Sequence, residues 1–347
     1  MKTLQNPFRG AEAAPLTHPA LEDVPFPVAS AERPSALLAR CPDAAVTPLH
    51  EAPDLARACG VASVAIKDES GRMGLGSFKA LGAAFVIARD AEEGTAAGRT
   101  YVTASAGNHG MSVAAGARVF GAKSRVYIAE SVPEAFAKRL ADQGADVRRA
   151  GEIYEEGMAA AMQAAEAEGL TLLSDSSWEG YIERPHVLME GYTVLVAEAA
   201  AQLEHAPTHV FIQCGVGGIA AAVAAHARLA WGEEVVVVVV EPEAAPALID
   251  SIRAGAPLTT QGPVSSMGRL DCKEPSLIAL KGLARDADYF ATISEEQAHA
   301  ATAQLAAMGH PSTPSGTAGL AGLINAAGAF GLTPDSRVLT FLTEGAE

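Results

Sequence analysis

The sequence predicts an α/β chain of two parallel-sheet lobes with helices on both faces and a ligand cleft between the lobes. Three observations carry this expectation. Short β-rich runs alternate with alanine-rich helical stretches from about Ala62 onward, the pattern of parallel strands joined by right-handed crossovers. The 347 residues exceed what one hydrophobic core usually serves. Finally, several strand ends run directly into small, polar or glycine-rich residues and then a helix, which is where open α/β sheets bind ligands.

The first 50 residues are rich in Pro and Ala and weakly periodic, and are expected to form an arm or irregular wrap. Strands are expected at 61–66, 100–103, 124–128, 208–212, 234–240 and 338–342. Helices are expected at 78–89, 111–119, 133–143, 153–167, 189–204 and 219–229. The apolar run 235–240 is far short of the ~20 residues of a membrane helix and reads as a buried strand of a parallel sheet, so no membrane association is expected. No repeat at a fixed period is present.

Hydrophobic residues make up 49% of the chain and charged residues 19%, which fits a globular enzyme with a large core. Lys and Arg number 25 against 41 Asp and Glu, a net charge of −16, which argues against a nucleic-acid partner. Cys41, Cys59, Cys214 and Cys272 lie far apart with no metal-type spacing, and residues 1–10 carry no secretory pattern; a reduced, cytoplasmic protein is expected.

Three junctions bear chemistry. In the first, Lys67-Asp68-Glu69-Ser70 leads through a glycine-rich turn to Ser77-Phe78-Lys79, placing a lysine in the first turn of a helix. Helix-terminal amides and a desolvated pocket would lower its pKa, as a Schiff-base lysine needs. In the second, Thr103-Ala104-Ser105-Ala106-Gly107-Asn108-His109-Gly110 enters a helix whose free N–H groups suit a carboxylate, with His109 read as a packing residue. In the third, Gln213-Cys214-Gly215-Val216-Gly217-Gly218-Ile219 has three glycines in four positions before a helix, a cradle for a phosphate dianion. It lacks both the dinucleotide spacing and a Walker lysine, so a phosphate monoester fits better, and that points to pyridoxal 5′-phosphate.

With these junctions in this order the chain resembles the fold-type II pyridoxal-phosphate enzymes, the tryptophan synthase β and threonine dehydratase superfamily, over about 47–345. Within it the chain is most similar to the diaminopropionate ammonia-lyases. The motifs that carry this are Lys67-Asp68-Glu69-Ser70, Ser77-Phe78-Lys79-Ala80-Leu81-Gly82, Asp175-Ser176-Ser177-Trp178-Glu179-Gly180-Tyr181, Met189-Glu190-Gly191-Tyr192, Cys272-Lys273-Glu274-Pro275 and Thr343-Glu344-Gly345. Two departures stand out. Ala106 occupies a position where those lyases tend to carry an aspartate, which makes the loop look like that of a serine or threonine dehydratase. The chain also ends two residues past Gly345, where the resemblance implies further sequence and a C-terminal contact.

The resemblance implies a cleft-bound cofactor, a large lobe of residues 1–82 and 192–347, a small lobe of residues 83–191, a homodimer, and elimination of a β-substituent from a small amino acid. Lys79 would carry the cofactor and Gly215, Val216, Gly217, Gly218 and Ile219 its phosphate. Asn108 would sit beside the ring hydroxyl, and Thr343, with Ser315 as its competitor, at the pyridine nitrogen. Ser105, Ala106 and Gly107 would meet the substrate carboxylate. Asp175 is expected to take the Cα proton of an L-substrate, its pKa raised by partial burial, while Asp68 and Glu69 fix the loop before Lys79.

Overall fold

The computed structural model describes residues 1–10 and 12–346. Its strands are β1 (Lys2–Gln5), β2 (Leu49–Glu51), β3 (Ser63–Asp68), β4 (Thr100–Ala104), β5 (Lys123–Ile128), β6 (Ala145–Arg149), β7 (Thr171–Leu172), β8 (His209–Gln213), β9 (Val236–Pro242), β10 (Tyr289–Ile293) and β11 (Arg337–Leu342). They form a seven-stranded sheet in the order β1-β10-β9-β8-β11-β3-β2 and a four-stranded sheet in the order β6-β5-β4-β7. All pairings are parallel except those of the two edge strands of the large sheet, β1 with β10 and β2 with β3.

The interior of the large sheet follows from composition. Every residue of β8 is buried, and β9 reads Val-Val-Val-Val-Val-Glu-Pro with only its first residue partly exposed, the signature of strands covered on both faces. Among the described residues no helix is long and apolar enough to cross a membrane.

All six expected strands form, within two residues of their expected ends. The helices also form, but three begin earlier than expected: Asn108–Val119, Glu183–Gln202 and Gly218–Trp231. Their starts lie at glycine or polar residues, which carry no apolar period. The expectation of an irregular N-terminal wrap needs correction. Residues 2–5 join the large sheet as its exposed edge, and the Asn6 Nδ2 anchors them by donating to the carbonyls of Leu283, Ala284 and Ala287 at 3.1, 3.0 and 2.6 Å.

The expected lobe boundaries, at 82/83 and 191/192, fall inside two continuous helices, Lys79–Glu92 and Glu183–Gln202. These helices meet at Gly82 and Gly191. A Cβ on Gly191 would lie 2.7 Å from the Leu81 carbonyl oxygen, and one on Gly82 2.7 Å from the Tyr192 ring, so the two backbones approach as only glycine allows. The sheets are thus joined by packed helices rather than a loose linker.

Candidate active site

Each of the three junctions sits at the carboxyl end of a parallel strand. Lys79 is the first residue of its helix, beyond β3; the loop 105–107 follows β4; residues 215–217 follow β8; Thr343 follows β11. Asp175 comes three residues after β7, at the edge of the small sheet. The carboxyl ends of both sheets therefore face one cleft.

The central pair of that cleft is Lys79 and Asp175, whose ammonium and carboxylate are in hydrogen-bond contact although 96 residues separate them. Both side chains are largely buried, 20% and 17% exposed. Desolvation pushes the Lys79 amine down, but the Asp175 carboxylate outweighs it and holds the amine above its ordinary value. Burial likewise pushes the Asp175 carboxyl up, while the Lys79 charge holds it well below the carboxylate range. Two expectations are thereby corrected, a lowered lysine and a raised aspartate, because each group is the other's counter-ion. The Lys79 Nζ also lies 5.2 Å from the centre of the Phe78 ring and 5.9 Å from that of Tyr192.

The segment that leads to Lys79 is held by a buried charge network, all of whose charged groups belong to the large-sheet side. Arg72 donates from Nε and Nη2 to the two carboxylate oxygens of Glu69, both at 2.8 Å, and from Nη1 and Nη2 to Glu198 at 2.9 and 2.7 Å. Lys67 Nζ donates to Glu198 at 2.8 Å and to the Thr47 carbonyl at 2.7 Å. Glu69, Arg72 and Lys67 are fully buried. Glu69 thus fixes the loop before Lys79, as expected from its place in the sequence.

The second junction presents the start of the helix Asn108–Val119 without a side-chain cap. The Gly107 N–H donates to Ser105 Oγ at 3.3 Å, which leaves the serine O–H as a donor. Ala106 is partly buried against the cluster of Met111, Val126 and Leu140. His109 Nε2 donates to the Leu173 carbonyl at 2.9 Å, so its buried Nδ1 carries a lone pair and has no hydrogen-bond partner; burial lowers its pKa.

At the third junction the helix Gly218–Trp231 also starts without a side-chain cap, beneath a left-handed Gly217 at φ +105°. A Cβ on Gly217 would stand 2.6 Å from that of Ala279, and one on Gly215 3.1 Å from Cys272 Sγ. Glycine is what keeps this cradle open. Val216 is held by its carbonyl, which accepts from Ser276 N at 2.9 Å, and Ile219 is buried in the helix's first turn.

Thr343 is buried, and its Oγ1 accepts from Gln213 Nε2 at 2.9 Å. Gln213 Nε2 also donates to the Gly316 carbonyl at 2.7 Å, so its donors are spent and the Thr343 O–H is left to donate elsewhere. Ser315 Oγ accepts from Arg269 N at 3.2 Å. Asn108 Nδ2 donates to the carboxylate of Glu344, which Thr313 Oγ1 also contacts and Arg269 Nε meets at 2.8 Å. In the sequence Glu344 stands only within the motif Thr343-Glu344-Gly345. Here it ties β11 of the large sheet to the loop after β4 of the small one.

These residues fit a phosphorylated aldehyde cofactor: an uncapped, glycine-lined helix start for a dianion, a buried amine for the aldehyde, a free hydroxyl donor, and the partnerless His109 Nδ1 and Ser77 Oγ nearby in the chain. Residues 42–344 match the family described as "Pyridoxal-phosphate dependent enzyme", and the chain belongs to that family. Its cofactor is pyridoxal 5′-phosphate. Among its relatives is the diaminopropionate ammonia-lyase of Salmonella typhimurium, 33% identical over 268 residues that cover 69% of this chain and 66% of that protein. The mouse L-serine dehydratase/L-threonine deaminase is 30% identical over 215 residues, covering 61% of this chain and 62% of that protein. The chain thus spans about two thirds of the length of the curated relatives it matches. The fold superposes on the Escherichia coli diaminopropionate ammonia-lyase, solved with an aminoacrylate–PLP azomethine reaction intermediate. The TM-score is 0.86 at 27% identity, covering 99% of this chain and 93% of that one.

Proposed function

We propose that this protein is an ammonia-lyase that removes the Cα proton and the β-amine of L-2,3-diaminopropionate, giving ammonia and, after hydrolysis of the unsaturated product, pyruvate and a second ammonia. The observation that carries this reading is the contact between Lys79 and Asp175 across a cleft whose other walls are two uncapped helix starts.

When bound, pyridoxal phosphate draws electrons from the Cα of an amino acid joined to it. Lys79 would hold the cofactor through its amine, and Gly215, Val216, Gly217, Gly218 and Ile219 would hold the phosphate. Asn108 would flank the ring hydroxyl. The Thr343 O–H, with Gln213 on its acceptor side, would donate to the pyridine nitrogen and keep it unprotonated. Ser105, Ala106 and Gly107 would receive the substrate carboxylate at the helix start. Asp175, an ionised carboxylate at Lys79's side, would take the Cα proton. The helices crossing at Gly82 and Gly191 would let the lobes 1–82 with 192–347 and 83–191 close as units and exclude water. We further read the protein as a cytoplasmic homodimer; its four unbridged cysteines accord with a reducing compartment.

A second reading, a serine, threonine or 3-hydroxyaspartate dehydratase, is favoured by Ala106 and by the serine dehydratase relative. The ratio of ammonia to keto acid separates the two. Diaminopropionate gives about two ammonia per pyruvate by the chemistry above, and a hydroxy amino acid about one. Turnover of serine or threonine at one to one, with none of diaminopropionate, would reject the first reading.

A further inference from the structure

β2, the carboxyl end of β3 and the loop after the helix Glu295–Ala307 bring together His50, Asp68 and His310, none of which is assigned to cofactor or substrate. One ligand atom from each lies within 4.8 Å of the other two. His50 Nε2 stands 3.4 Å from Asp68 Oδ2, and the two imidazole rings are 5.0 Å apart. Bonds of about 2.0–2.2 Å to a tetrahedral ion put neighbouring donor atoms roughly 3.4 Å apart, so the His50–Asp68 spacing already suits a shared metal. The farther contacts need a shift of about 1 Å in side chains that are only partly buried.

Asp68 is prepared for this role. Its Oδ1 accepts from the Ser70 N–H at 2.9 Å, which orients the carboxylate and leaves Oδ2 toward His50. Its own N–H donates to the Pro48 carbonyl at 2.9 Å, and the register of β2 on β3 sets His50 opposite Ile66, so the backbones under both ligands are fixed.

We infer that His50, Asp68 and His310 form a binding site for a zinc-class divalent cation, with water completing the coordination. Two imidazoles and one carboxylate suit zinc, cobalt or nickel rather than magnesium or calcium, which call for oxygen donors throughout. The site would clip the strand leading to Lys79 to the loop at His310. Two residues beyond His310, Ser312 Oγ donates to the Glu344 carbonyl at 2.5 Å, and Thr313 Oγ1 contacts the Glu344 carboxylate that holds Asn108. A bound ion would therefore brace the large-sheet wall of the cleft without touching substrate.

The test is equilibrium dialysis of the intact holoenzyme, free of amino acids, against micromolar Zn²⁺, with metal counted per chain. The wild type should take up one more zinc than either His50→Asn or His310→Asn, and zinc should raise its Tm but not theirs. Zinc held by the free thiols would be common to all three proteins and drop out of the difference. The visible absorbance of the bound cofactor reports that each variant is folded, and the two substitutions lie on separate elements. Equal zinc uptake by wild type and both variants overturns the inference. So does equal displacement of zinc by Mg²⁺, since an imidazole-rich site should keep zinc against a large excess of magnesium.

Discussion

The amine of Lys79, at the head of a helix hung from the large sheet, is paired with the carboxylate of Asp175, at the edge of the small sheet, and each sets the charge of the other. A lysine so paired is held at the cleft rather than released to solvent, and an aspartate so paired stays ionised.

Stereochemistry is the first. Ala106 offers no acid, so Asp175 is the one carboxylate assigned to the Cα proton, and it reaches one face of a bound amino acid. A positioned base contributes about 10²–10⁴-fold, so kcat/KM for L-2,3-diaminopropionate should exceed that for the D-isomer by that order. Comparable initial rates on both enantiomers would refute the one-base assignment.

Cofactor retention depends on Gly217. Alanine there would be strained at φ +105° and would press on Ala279 at 2.6 Å. Gly217→Ala should lose roughly 1–3 kcal/mol of stability and bind pyridoxal phosphate more weakly, read by urea unfolding and by titration of the visible band. Unchanged affinity would remove the loop 215–219 from the phosphate site.

The buried network predicts a large structural effect. Arg72→Leu would leave the carboxylates of Glu69 and Glu198 without their guanidinium, and breaking a buried pair this way costs about 3–5 kcal/mol. Chemical denaturation measures it. A loss below about 1 kcal/mol would mean that Lys67 alone suffices for Glu198.

Glu241, fully buried at the end of β9, gives a pH dependence. Burial pushes its carboxyl up to about 8, against the N–H groups of Leu248 and Ile249, which it accepts at 2.7 and 2.8 Å. A folded-state pKa above the unfolded 4.5 means that the native chain binds more protons between those values. Its contribution to stability is therefore complete below about pH 4.5 and fades as pH rises through about 8. Glu241→Gln should be less stable overall but should lose that slope. An unaltered slope in melting temperature from pH 5 to 8 would contradict the assignment.

Much of this was legible in the sequence, for reasons that can be located. The interior strands β8 and β9 announce themselves because burial on both faces demands continuous apolar residues. The cradle at 215–218 is readable because close backbone approach selects glycine. What was not legible depends on pairing across the chain. β1 and β7 are an exposed edge strand and a two-residue strand, too short to show a period. The partly buried face of β6 is Ala145, Val147 and Arg149, and the arginine blurs its apolar pattern. Glu344 became a cross-cleft tie only when β11 and the loop after β4 were brought together. The pKa directions of Lys79 and Asp175 were reversed for the same reason: burial could be guessed from each segment alone, but the counter-ion 96 residues away could not. The Tyr289–Ile293 strand, absent from the expected set, nevertheless has a β-rich sequence, Tyr-Phe-Ala-Thr-Ile.

The most direct test of the site is the Asp175→Asn enzyme assayed with L-2,3-diaminopropionate. Asparagine keeps the shape but cannot accept the proton, so kcat should fall by about 10²–10⁴-fold while the cofactor's absorbance and affinity stay near those of the wild type. Retention of most of the activity would contradict the account: Lys79 itself would then be the Cα base, and the dehydratase reading would take precedence.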